Sequence, residues 1–235
     1  MSEENAAVSE LRALAFRGAG FLPAPRPLYA WLAFPVLLAL WQNLSISLLR
    51  IGAGWLVGTA LGFALGLAMG LSSVSRAVGM PLVSALFPIP KIALLPLLIL
   101  WLGIGEAPKI ATIAAGVFFP TAIATFSGVD AAPRSLIRMA QSFGLPVRAI
   151  LWKIILPAAL PSILAGCRIS VSTALLLVVS AEMIGAEFGL GAFLLAQGNL
   201  SRPDELMAGV VVVSLLGLGF GALIGAAERA LLKWR

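Results

Sequence analysis

Three ionisable side chains lie inside long apolar stretches of the 235-residue chain and are its first candidates for chemistry. Lys91 and Arg168 each interrupt an otherwise uncharged run, and Glu182 closes the run that contains Arg168. Charged side chains in such surroundings usually face a bundle interior or an aqueous pathway, so all three are candidates for a solute pathway. Snorkelling, structural pairing or an interfacial position are the alternatives. Arg168 and Glu182 are about 21 Å apart along a helix, so they cannot pair within one straight helix.

The other reactive side chains are few. The sequence has no His and one Cys, which excludes His-based catalytic triads, His-ligated metal sites and an internal disulfide. No Ser–Lys or Asp pair has a spacing typical of an intramembrane enzyme. No Gly-Lys dipeptide occurs, so the chain lacks a P-loop for ATP. We therefore expect no catalytic residue, no metal site and no cofactor in this chain.

The composition is that of a membrane protein. Hydrophobic residues make up 60% of the chain and charged residues 11%, with a mean hydropathy of +1.05. A soluble domain carries about 25% charged residues, so too few charges are present to cover a water-facing surface. The net charge of +6 is scattered between apolar runs and forms no basic patch for nucleic acid. The expected fold is an all-α integral membrane protein.

Long runs with little or no charge predict six membrane-spanning helices. A hydrocarbon core about 30 Å thick needs roughly 20 helical residues to cross it. Four runs contain no charged residue, and two contain one each. The predicted spans are Pro27–Leu49, Ile51–Ser75, Ala77–Gly105, Ile110–Val129, Ile154–Ala181 and Leu206–Ala227.

The first predicted span is the least regular, because Pro35 interrupts it and Gln42, Asn43, Ser45 and Ser47 make its second half polar. Before it, residues 1–27 form a predicted cytoplasmic segment without the basic and apolar regions of a signal peptide. Residues 28–235 form the predicted transmembrane domain, with a core at about 44–230 and a polar loop at 128–157.

The basic residues predict the orientation in the membrane. With six spans and the N-terminus inside, eleven of the sixteen Lys and Arg residues fall in cytoplasmic segments and three in external ones. Because Lys and Arg accumulate in cytoplasmic loops, this favours a multi-pass protein with both termini in the cytoplasm.

Glycines at four-residue spacing predict close helix packing. Small residues at this spacing let helix backbones approach, which matters in lipid because burial of apolar surface no longer drives association. The pattern indicates a tightly packed bundle or dimer and says nothing about activity. The glycines concerned are Gly54, Gly58, Gly62, Gly66 and Gly70 in the second predicted span and Gly217, Gly221 and Gly225 in the sixth.

The loop between the fourth and fifth predicted spans is amphipathic. Apolar residues recur at helical spacing from Met139 to Ile154, and Gly144 with Pro146 predicts a turn between two short helices. Such a pair could lie on lipid headgroups or dock into a groove on a soluble partner.

At this loop the chain resembles the permease subunits of bacterial binding-protein-dependent ABC importers. Their cytoplasmic signature is Glu-Ala-Ala, three residues, Gly, nine residues, Ile, one residue and Leu-Pro. The spacing fits throughout, but Arg and Met replace the first Glu and Ala, so a salt bridge attributed to that Glu cannot form. The matching positions are Arg138, Met139, Ala140, Gly144, Ile154, Leu156 and Pro157, with Leu145 and Pro146 within the contact segment.

The resemblance extends over most of the membrane region and looks closest to the nitrate, sulfonate, taurine and bicarbonate group of permeases. Similar stretches include PIPKIALLPLLILWLGIGEAPKI, GVFFPTAIATFSGVD and the Gly-Leu-Gly at 189–191. It implies a six-helix permease of type I ABC importer architecture in the bacterial inner membrane, paired with a second copy. It further implies two separate ATPase subunits that bind ATP and Mg²⁺ and receive the coupling helices, and an extracytoplasmic binding protein that delivers a small, anionic solute.

Two other functions stay open from the residues alone. An ion-coupled secondary transporter would need titratable groups in the spans, and only Lys91, Arg168 and Glu182 are available. A non-catalytic structural membrane subunit would explain the glycine spacing but not the loop signature.

Overall fold

The computed structural model describes residues 27–232, with side chains described at residue 38 and from residue 40 onward. It divides into two units, residues 1–41 and residues 42–235. In the first unit, residues 27–41 are helical, and the predicted N-terminal cytoplasmic segment lies outside the described residues. The second unit is the helical bundle that carries every contact discussed below.

The described residues form helices and contain no strand, which confirms the predicted all-α fold. A 3₁₀ turn at Lys91–Leu94 precedes α3, and a π-helical turn at Leu151–Ile155 joins α6 to α7. The α-helices are α1 (Pro27–Leu71), α2 (Ser73–Leu86), α3 (Leu95–Leu102), α4 (Glu106–Asp130), α5 (Arg134–Ser142), α6 (Val147–Ile150), α7 (Leu156–Gly185), α8 (Leu190–Asn199) and α9 (Pro203–Leu231).

The number of spans differs from the predicted six. Among the residues that the structure describes with their side chains, four stretches of helix are long and apolar enough to cross a membrane, and a bent pair makes a fifth if it counts as one span. The predicted break between the first two spans is absent, because helix α1 continues through Arg50. Arg50 is a buried residue paired with carboxylates and not a loop charge. The four stretches are Leu40–Leu71, Glu106–Asp130, Val147–Gly185 and Pro203–Leu231.

The third predicted span is broken in the middle. Ser73–Leu86 and Lys91–Leu102 meet at an angle of 89°, and Pro88 and Pro90 lie in the break. Proline has no N–H to continue the helical hydrogen bonds, and its ring clashes with the preceding turn. In lipid such a break requires other partners for the freed carbonyls.

Helix α4 is the central helix of the bundle. Its buried residues Ile113 and Val117 cluster with Ile51 of α1 and with Ala174 and Val178 of α7. On the α7 side, Gly128 of α4 lies close to the backbone at Ala159. The bundle core is therefore built by α1 and α7 packing on α4.

The first glycine series faces α4 along the whole contact. Helices α1 and α4 run in the same direction, since Gly54 lies against Ile113 and Gly70 against Val129. At Gly58, Gly62 and Gly66, an added Cβ would lie 2.5 Å from carbonyl oxygens of α4, at Ala114, Phe118 and Ala122 respectively.

We expect Gly62→Ala to destabilise the bundle, because the added methyl group would meet the Phe118 carbonyl oxygen and Thr121 Cβ at 3.0 Å or less. Overpacking of this kind costs about 1–3 kcal/mol. The measurement is the thermal unfolding midpoint in detergent. Gly219→Ala is the matched control, because nothing lies within 4 Å of its added Cβ. An equal fall for both variants would contradict this account of the packing.

The second glycine series does not make such contacts within the described chain. An added Cβ at Gly221 would meet nothing within 4 Å, and at Gly217 only the end of the Leu175 side chain, at 3.7 Å. At Gly225 the nearest atoms belong to two arginine side chains, at 3.8 and 3.9 Å. Within the described residues the α9 face at Gly221 is therefore open, and packing of this series across a dimer interface stays a prediction.

Candidate functional site

The polar loop at 128–157 begins with helix α5, which ends in a tight turn that requires glycine. The Gly144 N–H donates to the Gln141 carbonyl at 2.9 Å, and the Leu145 N–H donates to the Ala140 carbonyl at 3.1 Å. These two bonds form a Schellman motif, whose left-handed residue is usually glycine. Gly144 has φ +71°, and an added Cβ there would meet nothing within 4 Å. Glycine is thus needed for its backbone conformation and not for space.

One side of the loop is anchored to the bundle. Ala140 and Ile150 are buried and cluster with Val129, at the end of α4, and with Ala159 and Ile163 of α7. Leu145 and Ile154 pack against the same cluster. The loop therefore sits as a fixed unit on one end of the bundle.

The other side of the loop projects large side chains away from the bundle. Met139 is 53% exposed, Phe143 77% and Val147 78%. Arg138 and Arg148 are also exposed. The regular apolar spacing read from the sequence thus contains two sets of residues, one packed inward and one exposed.

The second predicted short helix of the loop continues into the membrane span. After Pro146, helix α6, the π-helical turn and α7 follow one another without interruption. Pro157 cannot donate to the carbonyl four residues earlier, at Lys153, and the wider π turn lies at that point. The Leu156-Pro157 end of the signature thus marks where the loop passes into the span.

An ion cluster centred on two buried side chains lies at the opposite end of the helices. Arg50 Nη1 contacts Glu182 Oε1 at 2.8 Å, and Arg50 Nη2 contacts Glu106 Oε1 at 2.7 Å. Arg50 and Glu182 are 4% and 1% exposed. The Arg50 guanidinium also donates to the Phe188 carbonyl, and Lys109 Nζ lies 3.5 Å from Glu106. Two cations and two carboxylates therefore join α1, α4 and α7 at this end.

The loop between α7 and α8 wraps around the Glu182 carboxylate. The Gly191 N–H donates to Glu182 Oε2 at 2.9 Å, and Ser47 donates its hydroxyl to the same carboxylate. Gly189 has φ +133°, and its added Cβ would lie 2.5 Å from Glu182 Oε1. The Gly-Leu-Gly at 189–191, which runs from the end of the loop into the first turn of α8, is thus the segment that fits against this carboxylate.

The sequence does not predict this cluster, because Arg50 and Lys109 border predicted spans and count among the three basic residues expected in external segments. The available signal was the polar half of the first predicted span. Asn43, Ser47 and Arg50 recur at four and three residues, which puts them on one face of a helix. Asn43 accepts from the Gly189 N–H, and Ser47 from the Leu190 N–H, at 2.6 and 2.9 Å.

Lys91 lies at the break between α2 and α3. Its ammonium donates to the carbonyls of Leu86 and Ile89, each at 2.7 Å, and to that of Phe87 at 3.2 Å. It also lies 4.3 Å from the centre of the Phe119 ring. Lys91 therefore binds three carbonyls at the break, among them that of Leu86, whose helical donor four residues on is replaced by Pro90.

We expect Lys91→Met to loosen the break while the apolar stem keeps its volume. The carbonyls of Phe87 and Ile89 would lose the ammonium donor, and that of Leu86 would keep only the longer bond from the Ile89 N–H, at 3.3 Å. Buried polar groups left without a partner cost about 1–3 kcal/mol each, and partial exposure of this site places the effect at the lower end. Limited proteolysis around residues 86–92 is the measurement. Lys91→Arg, which keeps the charge and the donors, serves as the control. Unchanged cleavage of the Met variant would contradict the role.

Arg168 contacts Glu228 of α9 at 2.7 Å, and its side chain is 56% exposed. The three sequence-derived pathway candidates therefore have different partners: Arg168 with Glu228, Glu182 with Arg50 and Lys91 with carbonyls. The structure does not bring these candidates together into one site. It also gives Arg168 and Glu182 separate partners, as expected from their separation along the helix.

Known proteins share this architecture. Chains from two crystal structures cover most of this one. An inward-facing MetNI methionine ABC transporter has a TM-score of 0.74 at 21% identity and covers 84% of this chain and 98% of its own. An amino acid ABC transporter has a TM-score of 0.69 at 17% identity and covers 88% of this chain and 99% of its own. At these identities the likeness concerns the fold.

Sequence relatives are closer. The taurine transport system permease protein TauC of Escherichia coli K12 is 37% identical over 195 residues, which is 83% of this chain and 71% of TauC. The putative aliphatic sulfonates transport permease protein SsuC of Bacillus subtilis 168 is 35% identical over 214 residues, 90% of this chain and 78% of SsuC. A family model for the inner membrane component of binding-protein-dependent transport systems matches residues 58–234. The chain therefore belongs to this family and is a multi-pass permease subunit of an ABC importer.

Proposed function

We propose that this permease carries a small organic sulfonate such as taurine across the inner membrane. The observation that supports this choice is the 35–37% identity to permeases named for taurine and aliphatic sulfonates over most of the chain. Arg168, whose side chain is half-exposed although it pairs with Glu228, is the cation proposed to meet the anionic solute in the pathway. The satisfied bonds of Lys91 and Glu182 support structural roles for these two residues.

ATP is bound and hydrolysed by separate ATPase subunits with Mg²⁺, and the loop at 128–157 transmits the motion. The anchored inner side at Ala140 and Ile150 and the exposed Phe143 support this role. The residues proposed for coupling are Arg138, Met139, Ala140, Gly144, Leu145, Pro146, Ile154, Leu156 and Pro157. A second permease copy completes the pathway, and the open face of α9 at Gly221 supports such a neighbour.

The proposed orientation places the loop at 128–157 in the cytoplasm, because the loop is rich in basic residues and such residues accumulate in cytoplasmic loops. Two spans, α7 and α9, separate the loop from the C-terminal end, so that end is also cytoplasmic. The ion cluster at Arg50 then faces the side on which the extracytoplasmic binding protein docks. A cytoplasmic N-terminus stays a prediction.

Solute-stimulated ATP hydrolysis tests the proposal. The permease is reconstituted with its ATPase and binding protein, and hydrolysis is measured with taurine, an alkanesulfonate, nitrate and bicarbonate. We expect stimulation by the two sulfonates and a weaker solute response in Arg168→Gln. Stimulation by nitrate or bicarbonate alone would contradict the assigned solute class.

A further inference from the structure

The loop at 128–157, called the coupling loop from here on, carries positive charges on its exposed side. We define the docking ridge as Arg134, Arg138, Met139, Phe143, Val147 and Arg148. Residues 131–155 contain four basic residues and no acidic one. The nearest carboxylate, Asp130, contacts Arg76 at 2.8 Å and Arg134 at 3.9 Å. The ridge is therefore cationic, with its adjacent carboxylate already shared between two arginines.

Arg138 is available to a partner. Its guanidinium is exposed and makes no ion pair or hydrogen bond within residues 42–232, and the same holds for Arg148. Arg134 and Arg138 lie one helical turn apart on α5, so their charges add on one face. Beside them, Met139 and Phe143 offer an apolar surface. This combination of an apolar centre and a charged border is typical of a protein interface.

From these contacts we infer that the docking ridge fits an ATPase groove with an apolar floor and an acidic border facing Arg138. This inference rests on the proposed coupling function and deepens it by naming the chemistry of the partner. In the family signature the position of Arg138 is a Glu, so the charge is inverted here. Complementary potentials speed and orient association, and like charges reject wrong partners. The inverted charge therefore selects an ATPase that differs from those fitted to the usual signature.

The geometry favours a protein groove over a lipid surface. A helix that lies in a membrane interface turns its apolar face to lipid and its charged face to water. On α5 the inward face, at Ile137 and Ala140, is covered by the bundle. The face that projects outward carries Arg138 directly beside Met139, so charge and apolar surface are mixed rather than segregated.

The affinity of the permease for its ATPase tests the inference. The full permease and its ATPase subunit are purified, and their affinity is measured in detergent at about 0.05 M and about 0.5 M salt. We expect Arg138→Glu to weaken binding about tenfold at low salt and less at high salt, and Arg138→Gln to weaken it by a smaller factor. Arg202→Gln, at an exposed arginine on the opposite end of the bundle, is the matched control and should bind as the unaltered chain does.

Unchanged or tighter ATPase binding by Arg138→Glu would overturn the acidic groove. Weaker ATPase binding by Arg138→Glu in vesicles of phosphatidylglycerol and phosphatidylethanolamine, but not in detergent, would also overturn it, because the charge would then act on lipid. Phe143→Ala separates this inference from the proposed function. If Phe143→Ala weakens binding but Arg138→Glu does not, only the charge assignment fails. If neither variant weakens binding, the coupling role of the loop fails as well.

Discussion

Arg50→Met is expected to destabilise the permease strongly. The substitution leaves the Glu182 carboxylate, 1% exposed, without its cation at 2.8 Å. Removing one partner of a buried ion pair costs about 3–5 kcal/mol, because the remaining charge stays desolvated. Ser47 and the Gly191 N–H still donate to the carboxylate, which places the expected loss near the lower value. The measurement is the thermal midpoint in detergent, together with the yield of monodisperse protein.

The double variant Arg50→Met with Glu182→Met isolates the cause of that loss. Replacing both charges by apolar side chains removes the unpaired carboxylate, and such replacements are often neutral. We therefore expect the double variant to be more stable than Arg50→Met alone. Glu187→Gln, at an exposed acid in the loop between α7 and α8, is the control and should keep the unfolding midpoint of the unaltered chain. A double variant no more stable than the single one would rule out the unpaired charge as the cause.

Gly144→Ala is expected to uncouple ATP hydrolysis from transport while leaving the bundle folded. A non-glycine residue at φ +71° costs about 1–2 kcal/mol. The Schellman turn fixes the positions of Phe143 and Leu145, so distorting the turn moves the surface proposed to meet the ATPase. We expect at least a severalfold fall in transport per ATP hydrolysed, with only the small fall in the unfolding midpoint that this backbone strain produces.

Gly103→Ala is the control for backbone strain. Gly103 also has a positive φ, +79°, and nothing lies within 4 Å of its added Cβ. It lies between α3 and α4, at the end of α4 opposite the coupling loop. We expect it to lower stability without changing the coupling ratio. Equal uncoupling by both variants would mean that strain itself, and not the turn at Gly144, produces the effect.

The sequence predicted the parts of this fold that depend on local patterns. Gly144 and Pro146 marked the turn of the loop because each restricts the backbone in a known way. The spacing from Gly54 to Gly70 indicated close packing because four residues bring glycine back to one helical face. The family signature depends on the same local spacing, so it could be read even with Arg138 in place of the usual Glu.

The sequence could not reveal where a charge finds its partner. Arg50 reads as a loop residue because a charge normally ends a span, yet Glu106 and Glu182, 56 and 132 residues away, neutralise it. For the same reason the sequence predicts the end of one span and the start of the next at Arg50, where the helix in fact continues. Lys91 reads as a pathway residue for a related reason, since the carbonyls that it binds become available only where the prolines bend the helix.

ATP-driven uptake is the most direct test of the account. Proteoliposomes with the permease, its ATPase and its binding protein receive labelled taurine outside and ATP inside. We expect uptake that needs internal ATP and the binding protein, falls at least severalfold in Gly144→Ala, and persists when a protonophore collapses the proton gradient. Uptake that continues without ATP and stops with the protonophore would contradict it and would assign the chain to ion-coupled transport.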